Sequence, residues 1–178
     1  IILSMQLNAA NDLTSNLKTI VVTAEKKDAD LQKVSSSIAV IDKEDIEAAE
    51  INSLTEISRQ TPSLNVMSWG GRRDTNIFIR GIGPGLFTPP TASVYVDGVN
   101  MINNGMFDME MLGINSVEIL RGPQGTLYGG NSLAGVINIK TQSPDADPSS
   151  ELTIKYDDLG RKQFQARTNN AIIEDQLY

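Results

Sequence analysis

The chain has 178 residues, enough for one ordinary domain and a tail, which makes a two-domain enzyme a poor starting point. It is 40% apolar, 5% aromatic and 21% charged, a balance that suits a globular domain better than a disordered chain. Fifteen basic residues against 22 acidic ones give a net charge of -7, which argues against nucleic acid as a partner, and the absence of His and Cys removes Cys/His zinc sites, thiol nucleophiles, disulfides and the Ser-His-Asp arrangement.

Residues 1–10 resemble the trailing apolar end of a signal peptide followed by small residues; the alternative for the first 18 residues is a disordered terminus. The longest aliphatic run, Ile38-Ala39-Val40-Ile41, is far short of the ~20 residues of a membrane-spanning helix. Residues 36–41 read as a strand, and Asp42, three residues before Asp45, reads as the cap of a helix over 43–49. Ser53 and Glu56 form an S-x-x-E capping box for a second short helix that carries Leu54 and Ile57 on one face and ends before Pro62.

Thirteen of the 14 glycines fall between Gly70 and Gly135 and none before residue 70, so the middle of the chain is expected to be built from tight turns. Strands are predicted over 64–67, 76–80, 93–97, 116–121 and 136–141, with Asp97-Gly98 as a turn and one helical turn over 108–112. Two helices followed by short strands, without strict alternation, predict an α+β domain: a small mixed sheet with short helices and long Gly-rich loops. Residues 143–150 form a polar, proline-bearing break. Beyond it, Leu152, Ile154 and Tyr156 alternate with polar residues, D-D-L-G follows, and Phe164 and Ala166 alternate again. That hairpin has one apolar and one polar face, which fits a soluble sheet edge or the first hairpin of a membrane barrel.

Residues 125–132, G-T-L-Y-G-G-N-S, have phosphate-loop spacing, but Asn131 stands where the phosphate-binding lysine belongs. Residues 130–134 brush against a nucleophile elbow that has no histidine to activate it. Glycines allowing close backbone approach are the better reading of both, and no catalytic residue, metal ligand or cofactor is expected. A phosphate-binding hydrolase remains as the enzyme rival. Arg80 and Arg121 each end an apolar strand and precede a glycine, a position suited to pairing with a buried carboxylate as well as to ordinary surface exposure.

The stretches I-R-G-I-G at 79–83, V-Y-V-D-G-V at 94–99, and S-V-E-I-L-R-G-P-Q-G-T-L-Y-G-G-N-S-L-A-G-V-I-N-I-K-T at 116–141 strongly resemble the plug domain of TonB-dependent outer-membrane receptors. The resemblance covers residues 19–178 and implies a TonB box and linker over 19–35, a plug over 36–142, and a linker with the first barrel strands over 143–178. Such receptors close about 22 strands around the plug, of which only the start fits here. It also implies function: a non-enzymatic plug in the bacterial outer membrane that occludes its own barrel, helps bind a scarce nutrient, and is moved by the C-terminal domain of TonB. Ferric siderophores are the best-populated substrate class of such receptors, with cobalamin, heme and glycans as others. A stand-alone soluble periplasmic binding module is the rival of a different class.

By the same resemblance Thr19, Ile20, Val21, Val22, Thr23 and Ala24 form the TonB box, an unpaired strand-former available for strand addition. Arg80 and Arg121 would lock the plug to glutamates of the barrel wall. Substrate is expected at loops 67–76, 83–92 and 100–107. Their candidate contacts are Trp69, Arg72, Arg73, Phe87, Met101 and Phe107, an arginine pair and aromatics suited to an anionic, partly aromatic chelate.

Overall fold

A computed structural model describes residues 21–22, 29–30, 37–68, 74–107, 109, 111–143, 149–156, 160 and 162–170. A short ladder of β1 (Val21–Val22) and β2 (Ala29–Asp30) precedes β3 (Ser37–Asp42), α1 (Lys43–Ala48) and α2 (Leu54–Gln60). Strands β4 (Leu64–Ser68) and β5 (Thr75–Ile79) form a hairpin, followed by β6 (Ala92–Val96) and β7 (Val99–Met101). A 3-10 turn at Asn104–Met106 leads to β8 (Ile114–Arg121), α3 (Gly125–Tyr128) and β9 (Gly135–Thr141). Strands β10 (Ser149–Tyr156) and β11 (Lys162–Asn169) close the described chain.

Both predicted caps form. The Asp42 carboxylate accepts from the Asp45 amide at 3.0 Å, and the Ser53 hydroxyl accepts from the Glu56 amide at 3.4 Å. The box is offset by one residue on its return side, because the Glu56 carboxylate accepts from the Asn52 amide instead of that of Ser53. Replacing Ser53 by alanine should cost about 1 kcal/mol and replacement by aspartate should preserve most of the cap. Urea unfolding of the two variants checks this, and equal stability of the alanine variant and the parent would rule it out.

The main sheet has the order β3-β8-β9-β6-β7. All pairs are antiparallel except β6 with β9, so the sheet is mixed, as the absence of βα alternation predicts. Between β6 and β7 the two corner residues, Asp97 (φ 46) and Gly98 (φ 81), are both left-handed, the geometry of the two-residue hairpin turn whose twist matches its strands. One face of the sheet, through Ile41, Val94, Val117, Ile119, Ile137 and Ile139, shares a single core with Ile46, Leu54 and Ile57 of the helices and with Leu64, Val66, Ile77 and Ile79 of the β4–β5 hairpin. The opposite face carries a smaller cluster of Leu120, Val136 and Tyr128, with Ile38 and Tyr95 against it. Buried on that face, Asn138 donates to the Glu118 carboxylate directly across the β8–β9 ladder, at 3.1 Å.

Two expectations change. The helical turn predicted over 108–112 is absent from the described residues of that segment and lies earlier, at Asn104–Met106. The Met111 amide donates instead to the Asn52 carbonyl at 3.1 Å, so a tertiary bond replaces a local one and Met111 enters the core. Strand β5 also ends at Ile79, not at Arg80. The Ile82 amide closes a turn onto the Ile79 carbonyl at 3.0 Å, and both corner residues, Arg80 (φ 54) and Gly81 (φ 79), are left-handed. The I-R-G-I motif is therefore a tight turn in which glycine is at ease and arginine is strained.

Candidate functional site

Two of the three loops expected to face substrate come together, and the third adjoins them at Asn76. Strand β7 returns antiparallel to β6, which carries loop 102–107 back beside the segment 83–91 that enters β6. Between them lies an open groove of about 600 Å³, with Thr88 and Pro90 on one side and residues 102–106 on the other. The Asn104 side-chain Nδ2 donates to the Asn76 Oδ1 at 3.0 Å, which ties this groove to the β4–β5 hairpin. Of the candidate contacts, Phe87 is fully exposed and Met101 is half-buried against the core. Phe107 is a correction: at 2% exposure it is among the largest fully buried side chains and belongs to the core. The 3-10 turn before it rolls the ring inward, a rotation that loop composition does not encode. Trp69, Arg72 and Arg73 lie outside the described residues. Ile102 and Met106, exposed and lining the groove, were missed by sequence reasoning, as was the exposed Leu86 beside Phe87 in G-L-F-T.

The two arginines mark another corner. Arg121 faces Gly135 across the β8–β9 ladder, and Ile79, next to Arg80, packs its Cδ1 over the same glycine. Both side chains therefore leave strands that meet over Gly135, but their settings differ. Arg80 is exposed, whereas Arg121 is half-buried and its Nε is enclosed with no hydrogen-bond partner among the described residues. An enclosed donor left unmade is costly, so the site is suited to an acceptor supplied from elsewhere.

Residues 122–134 fold onto the second face of the sheet. The Tyr95 hydroxyl donates to the Tyr128 carbonyl at 2.9 Å, with the two rings edge to face at 5.0 Å. The Ser93 and Ser132 hydroxyls are 3.0 Å apart and both buried. Ser132 is thus a buried fastening for this loop, not an exposed nucleophile, and α3 occupies four residues of the phosphate-loop look-alike.

Val21 and Val22 pair with Asp30 and Ala29 respectively. This corrects the expectation that nothing in the neighbourhood pairs with them, because two β-branched residues close a minimal ladder with a segment only a few residues on. In that two-stranded sheet each strand keeps one open edge among the described residues. Thr19, Ile20, Thr23 and Ala24 lie outside the described residues.

The β10–β11 hairpin is inverted relative to a soluble sheet. Leu152 pairs with Ala166 and Ile154 with Phe164. Leu152, Ile154, Tyr156 and Phe164 are each 63–72% exposed, while the polar Thr153, Gln165 and Arg167 are half-buried. The Arg167 guanidinium donates to the Gln142 side-chain oxygen and lies against Gly113, and the Gln142 amide donates to the Gly113 carbonyl at 2.8 Å. A cleft of about 900 Å³, with Glu47, Glu50 and Asn52 on one wall and Gln165 and Arg167 on the other, separates the hairpin from the domain.

Residues 30–136 match the family model of the TonB-dependent receptor plug domain. Over 134 residues the chain is 37% identical to the pesticin receptor of Yersinia pestis, covering 73% of this chain and 20% of that one. It is 34% identical over 158 residues to the vitamin B12 transporter BtuB of Vibrio vulnificus, covering 86% of this chain and 25% of that one. The crystal structure of the ferric yersiniabactin uptake receptor FyuA from Yersinia pestis superposes with a TM-score of 0.74 at 29% identity, over 78% of this chain and 22% of that one. The chain therefore spans about a fifth to a quarter of the length of these relatives.

Proposed function

The chain belongs to the TonB-dependent receptor plug family of the outer membrane, and from that membership we propose that it is the non-enzymatic plug of a transport barrel, binding a ferric siderophore from one side and TonB from the other. The inverted β10–β11 hairpin carries the reading. A row of apolar side chains facing outward, with polar ones turned toward the domain, is the polarity of a barrel wall seated in lipid. A stand-alone soluble module would turn that apolar face inward. Within the barrel, the domain fills the lumen, Arg80 and Arg121 reach the wall, and the groove beside residues 102–106 forms part of the ligand surface.

The ferric choice follows the FyuA likeness at 29% identity and the receptors named for ferric chelates among the similar folds. Cobalamin is the second reading, favoured by the 34% identity to BtuB. Trp69, Arg72 and Arg73 remain the proposed polar and aromatic contacts of the chelate.

TonB is proposed to add a strand at the segment from Thr19 to Ala24, using the open edge of Val21–Val22. Pull-down with the C-terminal domain of TonB tests the reading in the full receptor. Val21→Pro removes a backbone donor and restricts φ, and should lower capture at least tenfold while leaving ligand affinity unchanged. Undiminished capture and uptake by that variant would remove the segment from this role.

A further inference from the structure

The sequence holds one Asn-Gly pair, Asn104–Gly105, and it lies in the 3-10 turn Asn104–Met106. Glycine has no Cβ, so the backbone nitrogen that follows such an asparagine can approach its side-chain Cγ unhindered. That nitrogen is available here: Gly105 is exposed, and its N–H has no hydrogen-bond partner among the described residues, as is usual in the first turn of a helix. Ring closure requires the Asn104 backbone to leave its turn geometry. Little opposes this, because the turn is held by the Met106 amide on the Asn103 carbonyl at 3.0 Å, the Phe107 amide on the Asn104 carbonyl at 3.2 Å and the Asn104 side chain on Asn76, while Asn103 adds no side-chain cap. The comparable Asp97–Gly98 pair is guarded, since the Thr141 amide and hydroxyl both engage its carboxylate.

We propose that Asn104 is a site of spontaneous deamidation, and that the change unties residues 102–107 from the β4–β5 hairpin. The Gly105 nitrogen forms a bond to the Asn104 Cγ; the Cγ–Nδ2 bond breaks, and Nδ2 leaves as ammonia with the proton that Gly105 gives up. Water then opens the cyclic imide. Its addition at Cγ yields aspartate, and its addition at the former backbone carbonyl carbon yields isoaspartate, with the main chain rerouted through Cγ. Before the change, the Asn104 Nδ2 donates to the Asn76 Oδ1 while the Asn76 Nδ2 donates to the Asp74 carbonyl at 3.1 Å, which fixes the way the Asn76 amide faces. Both products lose the Asn104 donor, and a carboxylate has no proton to offer in its place. Turning the Asn76 amide over would give the new carboxylate a donor only by giving up Asp74. In isoaspartate the Asn104 carbonyl also leaves the main chain, so the turn that delivers the buried Phe107 loses its closing bond.

The test is incubation of the full chain in mildly alkaline buffer, followed by peptide mass spectrometry. Asn104 should convert faster than every other asparagine of the chain, with aspartate and isoaspartate both formed and ammonia released. Gly105 is not left-handed, so alanine can take its place, and Gly105→Ala should slow the conversion about tenfold. Conversion of Asn104 no faster than that of Asn131, which precedes a serine, overturns the site, and so does a Gly105→Ala variant as fast as the parent. Amide hydrogen exchange reads the consequence: Asn104→Asp should speed exchange over residues 102–107 about tenfold relative to the parent. Unchanged exchange there overturns the untying.

Discussion

Replacing Gly135 by alanine is expected to destabilise the domain by about 3 kcal/mol, the upper end of the usual cost of overpacking a core. Gly135 opens β9 between β8 on one side and β6 on the other, facing Arg121 and Ala92. A Cβ there would drive into the carbonyl oxygen of Leu120 and come within 2.9 Å of the Ile79 Cδ1. The first obstacle is backbone and cannot yield without loosening the β8–β9 ladder. Gly83 provides the comparison: the three nearest atoms to a Cβ there all belong to the half-buried ring of Phe78, so a side chain and not the backbone would have to move. Its alanine variant should lose less than that of Gly135. Urea unfolding in mild detergent compares the two, and a Gly135→Ala variant within about 1 kcal/mol of the parent would refute the packing argument.

Joint replacement of Arg80 and Arg121 should act in opposite directions in two settings. In the full receptor the arginines are proposed to pair with wall carboxylates, and removing them strands those charges at a cost of roughly 3 to 5 kcal/mol. The plug should then become accessible to protease. In this chain alone, the Nε of Arg121 is enclosed without an acceptor among the described residues, and Arg80 sits at a left-handed corner. Arg80→Gly with Arg121→Met should therefore leave the chain as stable as the parent or more so. Unchanged protease resistance of the full receptor would remove the locking role, and strong destabilisation of the chain alone would mean that the arginines serve the domain's own fold.

The elements most legible in the sequence were those fixed by local chemistry. Asp42 and Ser53 announce their helices because a cap is a bond within four residues, and Asp97-Gly98 announces its hairpin because few residue pairs accept two left-handed corners. The apolar alternation at Leu152, Ile154 and Tyr156 likewise gave the hairpin's two faces, but which of them meets the domain depended on Arg167 reaching Gln142, a contact made 25 residues apart. Phe107 was misread for the same reason, since its loop composition suggests exposure and only tertiary packing buries it. At the candidate site, Phe87 stood out as an aromatic in a glycine- and proline-rich loop. Its left-handed backbone and full exposure required the fold.

The Gln142 fastening also sets a mechanical limit. With its amide held by Gly113 and its side chain by Arg167, the slack between the domain and the hairpin reduces to residues 143–148, which span at most about 20 Å when fully drawn out. The C-terminal end of the domain is thus on a short leash to the hairpin. At the opposite end, among the described residues, β3 lies at the margin of the sheet and pairs with β8 alone. A pull applied upstream of Ser37 therefore loads a peripheral strand first. Unfolding under such a load would proceed by peeling from β3 inward, with residues 143–148 setting how far the domain and the hairpin can part.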